Sequence, residues 1–406
     1  MNYAQAEELL AAHGQMQLLD YYDELTDEQR ACLLSDIAKL DFSVLENLHS
    51  DYSKTLGKLS PADALSVEEV ERNRAGFERA GLEALRAGKV AAVLLAGGQG
   101  TRLGSSLPKG MFNIGVTRRL TIFEQQMNNI KEVTDRAGCM FHLFVMTSDL
   151  NDKATRAYFA ENNYFGYDSS KIHFYEQKLA PTCSKEGKIY LDEKYKVSQS
   201  PNGNGGWYSS LIEGGYGPLL ESEGIEWLNI YAVDNVLQRI CDPVFIGATL
   251  KSGCACSSKV VSKISPEERV GVLCKEDGKP SIVEYYEMPK ELASLRDADG
   301  RLTYRYGVIL NYLFSVKTLN KIYKDKLPCH LAFKAIPHIE KGVKVIPTEP
   351  CGYKFETLAV DIVRLMGSCL AVEVVREKEF APVKNKTGVD SVESARELLA
   401  FNGVKL

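Results

Sequence analysis

Val90-Ala91-Ala92-Val93-Leu94-Leu95-Ala96-Gly97-Gly98-Gln99-Gly100-Thr101-Arg102-Leu103-Gly104 is the stretch that decides the fold. Its apolar half is too continuous for a strand with one wet face and reads as a strand buried on both sides, the mark of a parallel sheet. The run stops at Gly97, where three glycines in four positions allow positive φ and let the backbone approach a ligand with its amides exposed. Comparable runs recur at residues 141–147, 225–233 and 370–375, with helix-like stretches such as 120–132 between them. The class is α/β, a mixed, mainly parallel central sheet wound with helices in a Rossmann-like manner. In such sheets ligands bind at the carboxyl ends of the strands, so the functional residues are expected just after these runs.

Upstream of the first strand, the opening 88 residues read as helical. Thr26-Asp27-Glu28-Gln29 and Ser66-Val67-Glu68-Glu69 each fit a capping box. Leu33, Leu34, Ile37 and Leu40 follow the first box at helical spacing. Val70, Phe77, Ala84 and Leu85 follow the second until Gly88 supplies a stop. Between the two, Gly57 and Pro61 punctuate a short linker over residues 57–63. The predicted organisation is an N-terminal helical segment over 1–88, a catalytic domain over 89–380 and a short C-terminal segment over 381–406. A last helix follows Ser391-Val392-Glu393-Ser394, and no repeat of 20 to 50 residues is visible.

Composition narrows the function. The 406 residues are 45% hydrophobic and 25% charged, which excludes disordered and collagen-like chains. With 54 acids against 49 bases the net charge is −5, so no global field draws nucleic acid or anionic lipid, and phosphate-binding charge must be local. The chain shows neither a membrane-length apolar run nor a signal-peptide order at its start, and is expected to be cytoplasmic. Ten cysteines, spread from Cys32 to Cys369, are too sparse for a disulfide framework. Cys254-Ala255-Cys256 has no histidine beside it and reads as the edge of a buried strand.

The glycine turn can be tested against two common motifs. A Walker loop needs Gly-Lys-Ser/Thr, and Gly104-Ser105-Ser106 stands there instead. A dinucleotide turn needs GxGxxG, and Gly98-Gln99-Gly100-Thr101-Arg102-Leu103 lacks the last glycine. Arg102 and Lys109, beside the turn, bring more charge than a diphosphate bridge requires, which suits a nucleoside triphosphate. Asp234 ends the run 228–233, where an open sheet presents catalytic side chains, and its carboxylate suits a hard Mg²⁺ ion. The other reading of Asp234 is a cap on a helix over 235–240.

Leu95 to Gly104 with Pro108-Lys109-Gly110 resembles the signature of the UDP-sugar pyrophosphorylases, and more specifically of their N-acetylhexosamine branch. Gly203-Asn204-Gly205-Gly206-Trp207-Tyr208, Val233-Asp234-Asn235, Gly271-Val272-Leu273-Cys274, Val283-Glu284-Tyr285 and Glu379-Phe380-Ala381-Pro382-Val383-Lys384-Asn385 follow in the family's order, so the match spans roughly 90–400. The resemblance implies a nucleotide-diphospho-sugar transferase fold. The implied reaction joins UTP and a sugar 1-phosphate, foremost N-acetylglucosamine 1-phosphate, into UDP-sugar and pyrophosphate. By the same resemblance, Leu95, Ala96, Gly97, Gly98 and Gln177 hold the uracil edge, and Gly203 lies beside the nucleoside. Arg102, Lys109 and Lys384 are the implied catalytic cations and Asp234 the ligand of Mg²⁺, with Mn²⁺ as the alternative. Asn204, Gly271, Glu284 and Asn311 carry the implied sugar pocket. Arg376, Lys378, Lys386 and Lys405 read as solvated charge, and Tyr312 and Phe314 as core.

Two features depart from the family. Leu358 stands where the N-acetylhexosamine branch carries an aromatic residue against the acetamide, which leaves glucose-type or broad specificity as an alternative. Only 22 residues follow Lys384, so the chain is expected to lack the further C-terminal domain of the eukaryotic enzymes. A nucleotide-sugar-binding regulatory module is the non-enzyme alternative.

Overall fold

An eleven-stranded sheet organises the larger of the two units into which the chain divides, in a computed structural model that describes residues 1–49 and 56–406. In chain order its strands are β1 (Leu59–Pro61), β2 (Ala64–Leu65), β3 (Val90–Leu95), β4 (Leu143–Thr147), β5 (Ile172–Glu176), β6 (Trp227–Ala232), β7 (Cys256–Ser262), β8 (Val272–Glu276), β9 (Lys279–Val283), β10 (Tyr306–Ser315) and β11 (Cys369–Glu373). The main path runs β2-β11-β7-β10-β6-β3-β4-β5, and β8 joins β10 and pairs onward with β1 and β9. Along that path every pairing is parallel except the two made by β10, and the pairings of β8 with β1, β9 and β10 are antiparallel, so the sheet is mixed, as expected, and mainly parallel along its main path alone. Registers align the carboxyl ends of four neighbours: Leu95 sits opposite Ala232 and Met146, and Thr147 opposite Glu176. The segments after β6, β3, β4 and β5 therefore leave one edge together.

All of β3 and β4 is buried, which accounts for their unbroken apolar sequences. The helices that cover the sheet include α1 (Val67–Arg86), α2 (Ile122–Ala137), α3 (Asp152–Glu161), α4 (Pro243–Ser252) and α5 (Val392–Phe401). In α1, Val70, Phe77, Ala84 and Leu85 face the core, the Ser66–Glu69 capping box opens the helix and Gly88 follows its end at φ +71°. Helices α1 and α4 cross so closely that a Cβ on Gly81 would overlap the Pro243 carbonyl, and one on Gly247 the Phe77 carbonyl. No described helix is long and apolar enough to cross a membrane.

The smaller unit combines residues 1–49 with 178–206 and 326–359. Its helices Tyr3–Ala12 and Asp27–Ala38 bury Ala6, Leu10, Leu33 and Ile37 with Ile189, Leu191 and Val197. The second of these helices starts at the expected capping box, Thr26 with Gln29. Residues 1–88 are thus divided between the units, with α1, β1 and β2 belonging to the larger one. The strands β1 and β2 lie in and just after the stretch read as a linker, because elements of three and two residues carry no period. Residues 50–55, within the segment read as helical, lie outside the described residues.

Candidate active site

The glycine-rich turn leaves β3 and is held from below by two side chains that follow β4. Ser148 Oγ donates to the Gly97 carbonyl at 3.0 Å, and Asn151 Nδ2 donates to the Ala96 carbonyl at 2.9 Å and the Gly98 carbonyl at 3.4 Å. Both residues are buried. These bonds engage the carbonyls of Ala96, Gly97 and Gly98. The loop closes on itself, since Gly100 N donates to Leu107 O at 3.0 Å and Lys109 N to Gly98 O at 3.2 Å.

The expectation of positive φ at the first three glycines is corrected here. Only Gly104, at +73°, is left-handed in this loop. At Gly97 a Cβ would meet the side-chain amide of Gln177, so the bare backbone there lets that flexible side chain lie against the turn. Gln177 follows β5 and is anchored by its N–H to Thr147 O at 2.9 Å. Gly98 is exposed and a Cβ on it would meet nothing within 4 Å, so its bare backbone is the open part of the turn. Leu95 ends the buried strand and contributes through its backbone position.

Beyond β6 the chain makes no helix over 235–240, which removes the reading of Asp234 as a helix cap. Asp234 instead brings its carboxylate 3.5 Å from Lys109 Nζ, with 21% and 16% of the two side chains exposed. The Asp234 segment is clasped to the segment that carries Lys384. Val383 N donates to Asp234 O at 2.9 Å and Val236 N to Ala381 O at 3.2 Å. Buried Asn235 adds an Nδ2 bond to Glu379 O at 2.8 Å and accepts from Ala381 N at 2.9 Å. Lys384 pairs with Asp390 at 3.2 Å. Arg102 is exposed on the turn Thr101–Leu103. Lys386, read as solvated charge, lies over the same loop: a Cβ on Gly104 would come within 3.1 Å of its Nζ.

The residues expected to hold sugar fall into three groups. Gly271 and Glu284 meet, a Cβ on the former lying 3.2 Å from Glu284 Oε1. Asn311, at the centre of β10, is fully buried. Its Oδ1 accepts from Asn229 Nδ2 at 2.8 Å and its Nδ2 donates to Arg239 O at 3.3 Å, so it is engaged inside the sheet. Tyr312 and Phe314 beside it are fully buried core residues. In the smaller unit, Gly203 (φ +81°) bridges to Thr357, and Asn204 Oδ1 accepts from Ala359 N at 2.9 Å, which brackets half-buried Leu358.

Sequence reasoning missed Ser148, Asn151 and Asn235 as positioning residues. Their signal was present, because polar side chains directly after a buried apolar strand must find partners.

Residues 46–399 match the family model described as UTP–glucose-1-phosphate uridylyltransferase. A human UDP-N-acetylhexosamine pyrophosphorylase-like protein 1 is 37% identical over 95% of this chain and 82% of its own length. The UDP-N-acetylglucosamine pyrophosphorylase of Saccharomyces cerevisiae is 36% identical over 96% and 84%. Among solved structures, the uridine diphosphate N-acetylglucosamine pyrophosphorylase of Trypanosoma brucei, in complex with an inhibitor, superposes with a TM-score of 0.83 at 28% identity, over 97% of this chain and 83% of that one. The parallel strand ends, the glycine turn and the extent of these matches agree: the chain belongs to the UTP–glucose-1-phosphate uridylyltransferase family.

Proposed function

We propose that this chain is a cytoplasmic uridylyltransferase that makes UDP-N-acetylglucosamine and pyrophosphate from UTP and N-acetylglucosamine 1-phosphate. The observation that carries the proposal is the Lys109–Asp234 pair, 3.5 Å apart at the carboxyl ends of the parallel strands and partly open to solvent. It supports a site where a cation and a carboxylate act on a triphosphate. A phosphate oxygen of the sugar attacks the α-phosphorus in line, the bond to the β-phosphate oxygen breaks, and pyrophosphate leaves. The attacking oxygen is already anionic, so no general base is needed, and the work is to bring anions together and neutralise charge.

Arg102 and Lys109 are assigned to the triphosphate and the departing pyrophosphate, and Lys384 to the phosphates of the reacting pair. The backbone of 95–98 and Gln177 are assigned to the nucleoside, and Gly271 and Glu284 to the sugar. The donor chemistry fits Mg²⁺: the Asp234 carboxylate is partly open to solvent, and an ion delivered on phosphate oxygens needs only one or two carboxylates. Asp234 would hold it, with Mn²⁺ as the alternative. When bound, the ion neutralises and orients the triphosphate.

The names of the human and yeast relatives favour an N-acetylated sugar. Leu358, half-buried where the branch carries an aromatic side chain, favours a second reading with a plain hexose. Pyrophosphate release from UTP with 1-phosphates of N-acetylglucosamine, N-acetylgalactosamine, glucose and galactose separates them. Preference for N-acetylglucosamine is expected. Preference for glucose overturns the substrate assignment, and silence across the panel favours a binding module.

A further inference from the structure

We infer that Lys259, held between Glu379 and Asp242, is a positioning residue for the transfer: it fixes the clasp that carries Asp234 and Lys384. The inference rests on the uridylyl transfer proposed above.

Lys259 lies within β7 and is fully buried. Its ammonium donates to Glu379 Oε2 at 2.5 Å, to Asp242 Oδ2 at 3.1 Å and to Arg239 O at 3.3 Å, which uses all three of its protons. A buried ammonium is costly and seldom stabilises a fold more than apolar packing would, so its presence here asks for a reason beyond stability. The three acceptors supply one. Glu379 directly precedes the segment ending at Lys384, and its carbonyl accepts from Asn235, next to Asp234. Asp242 begins α4, its Oδ1 accepting from Val244 N at 3.0 Å. The Arg239 carbonyl also accepts from Asn311 at 3.3 Å. One ammonium thus ties the segment 239–242, which follows Asp234, to Glu379, which precedes Lys384, and so joins the chain leading from a proposed metal ligand to the chain leading to a proposed catalytic cation. Fixing several reacting groups to a common rigid point is what transfer by positioning requires.

A cavity of about 490 Å³ is lined by Lys259, Asp242, Glu379 and Arg239, so there is open space beside the ammonium and its acceptors. This sets the test. In Glu379→Gln, which keeps shape and the backbone bonds available, the amides of Val236, Ala381 and Val383 are expected to exchange hydrogen about tenfold faster or more, while those of β3 and β4 are unchanged. With UTP and N-acetylglucosamine 1-phosphate, kcat falls by about tenfold or more and KM for UTP stays within about threefold. Lys259→Arg retains most of kcat and Lys259→Met loses it. Unchanged exchange at the three amides in Glu379→Gln, or a Lys259→Arg as slow as Lys259→Met, overturns the inference. Should Lys259→Met fail to fold, the exchange measurement on Glu379→Gln decides alone. A wild-type chain without turnover contradicts the proposed function, while exchange reads the clasp independently of turnover, so the two failures are distinct.

Discussion

Replacing Gly98 by alanine separates the glycine turn's role in binding from its role in folding. A Cβ at Gly98 meets no atom within 4 Å and its φ is not left-handed, so the folded state takes the methyl without strain. Surface substitutions of this kind change stability by no more than about 0.5 kcal/mol. The same methyl occupies the face of the turn where a nucleotide would press against bare backbone. A ligand displaced from one or two hydrogen bonds there loses about 1–3 kcal/mol, or roughly five- to 150-fold in kcat/KM for UTP. Gly97→Ala is the contrast. Its methyl displaces the flexible end of Gln177, so it costs little stability while it moves the amide assigned to the nucleoside and lowers activity. Urea unfolding and initial rates on both variants give the four numbers. A Gly98→Ala chain with unaltered kcat/KM would refute the reasoning, because the open side of the turn would then not face the nucleotide.

Further outcomes follow from the same geometry. Lys109→Met should lower kcat by about 10²–10³-fold if it neutralises the departing pyrophosphate, measured by coupled pyrophosphate release. Lys386→Met, next to Gly104 on the same loop, should lower it by less than Lys109→Met does. Gly247→Ala should destabilise by about 1–3 kcal/mol in urea, since its methyl meets the Phe77 backbone, whereas Gly76→Ala meets only the flexible end of Lys251 and is expected to be mild. Burial, aided by the charges of His142 and Lys171 and opposed by Glu223, pulls His173 from 6.5 down to about 4. The unfolded chain therefore binds more protons between those values, and stability falls as pH drops from 6.5 to about 4, by at most about 1.4 kcal/mol per pH unit. Unfolding midpoints of wild type and His173→Phe over that range should diverge, the variant showing the shallower loss.

The strands around the site were readable because burial on both faces writes a continuous apolar run, as at Val90–Leu95 and Leu143–Thr147. Ser66 with Glu69 and Thr26 with Gln29 were readable because capping is local chemistry. β10, the antiparallel strand of the path, gave no such signal to place its neighbours, since pairing direction is a tertiary property. Asp234 and Lys384 could be named from their motifs, yet 150 residues separate them. That Asn235 joins their segments is written only in the folded backbone. Asn311 shows the opposite limit: its residue type suits a sugar hydroxyl, while its place at the centre of the sheet commits its amide to Asn229 and Arg239.

The most direct test of the account is the rate of UDP-N-acetylglucosamine formation from UTP, N-acetylglucosamine 1-phosphate and Mg²⁺, for wild type beside Asp234→Asn. The account predicts product and pyrophosphate in equal amounts from the wild type, and a rate at least about a hundredfold lower from the variant. Equal rates in the two, or no UDP-sugar from the wild type, would contradict it.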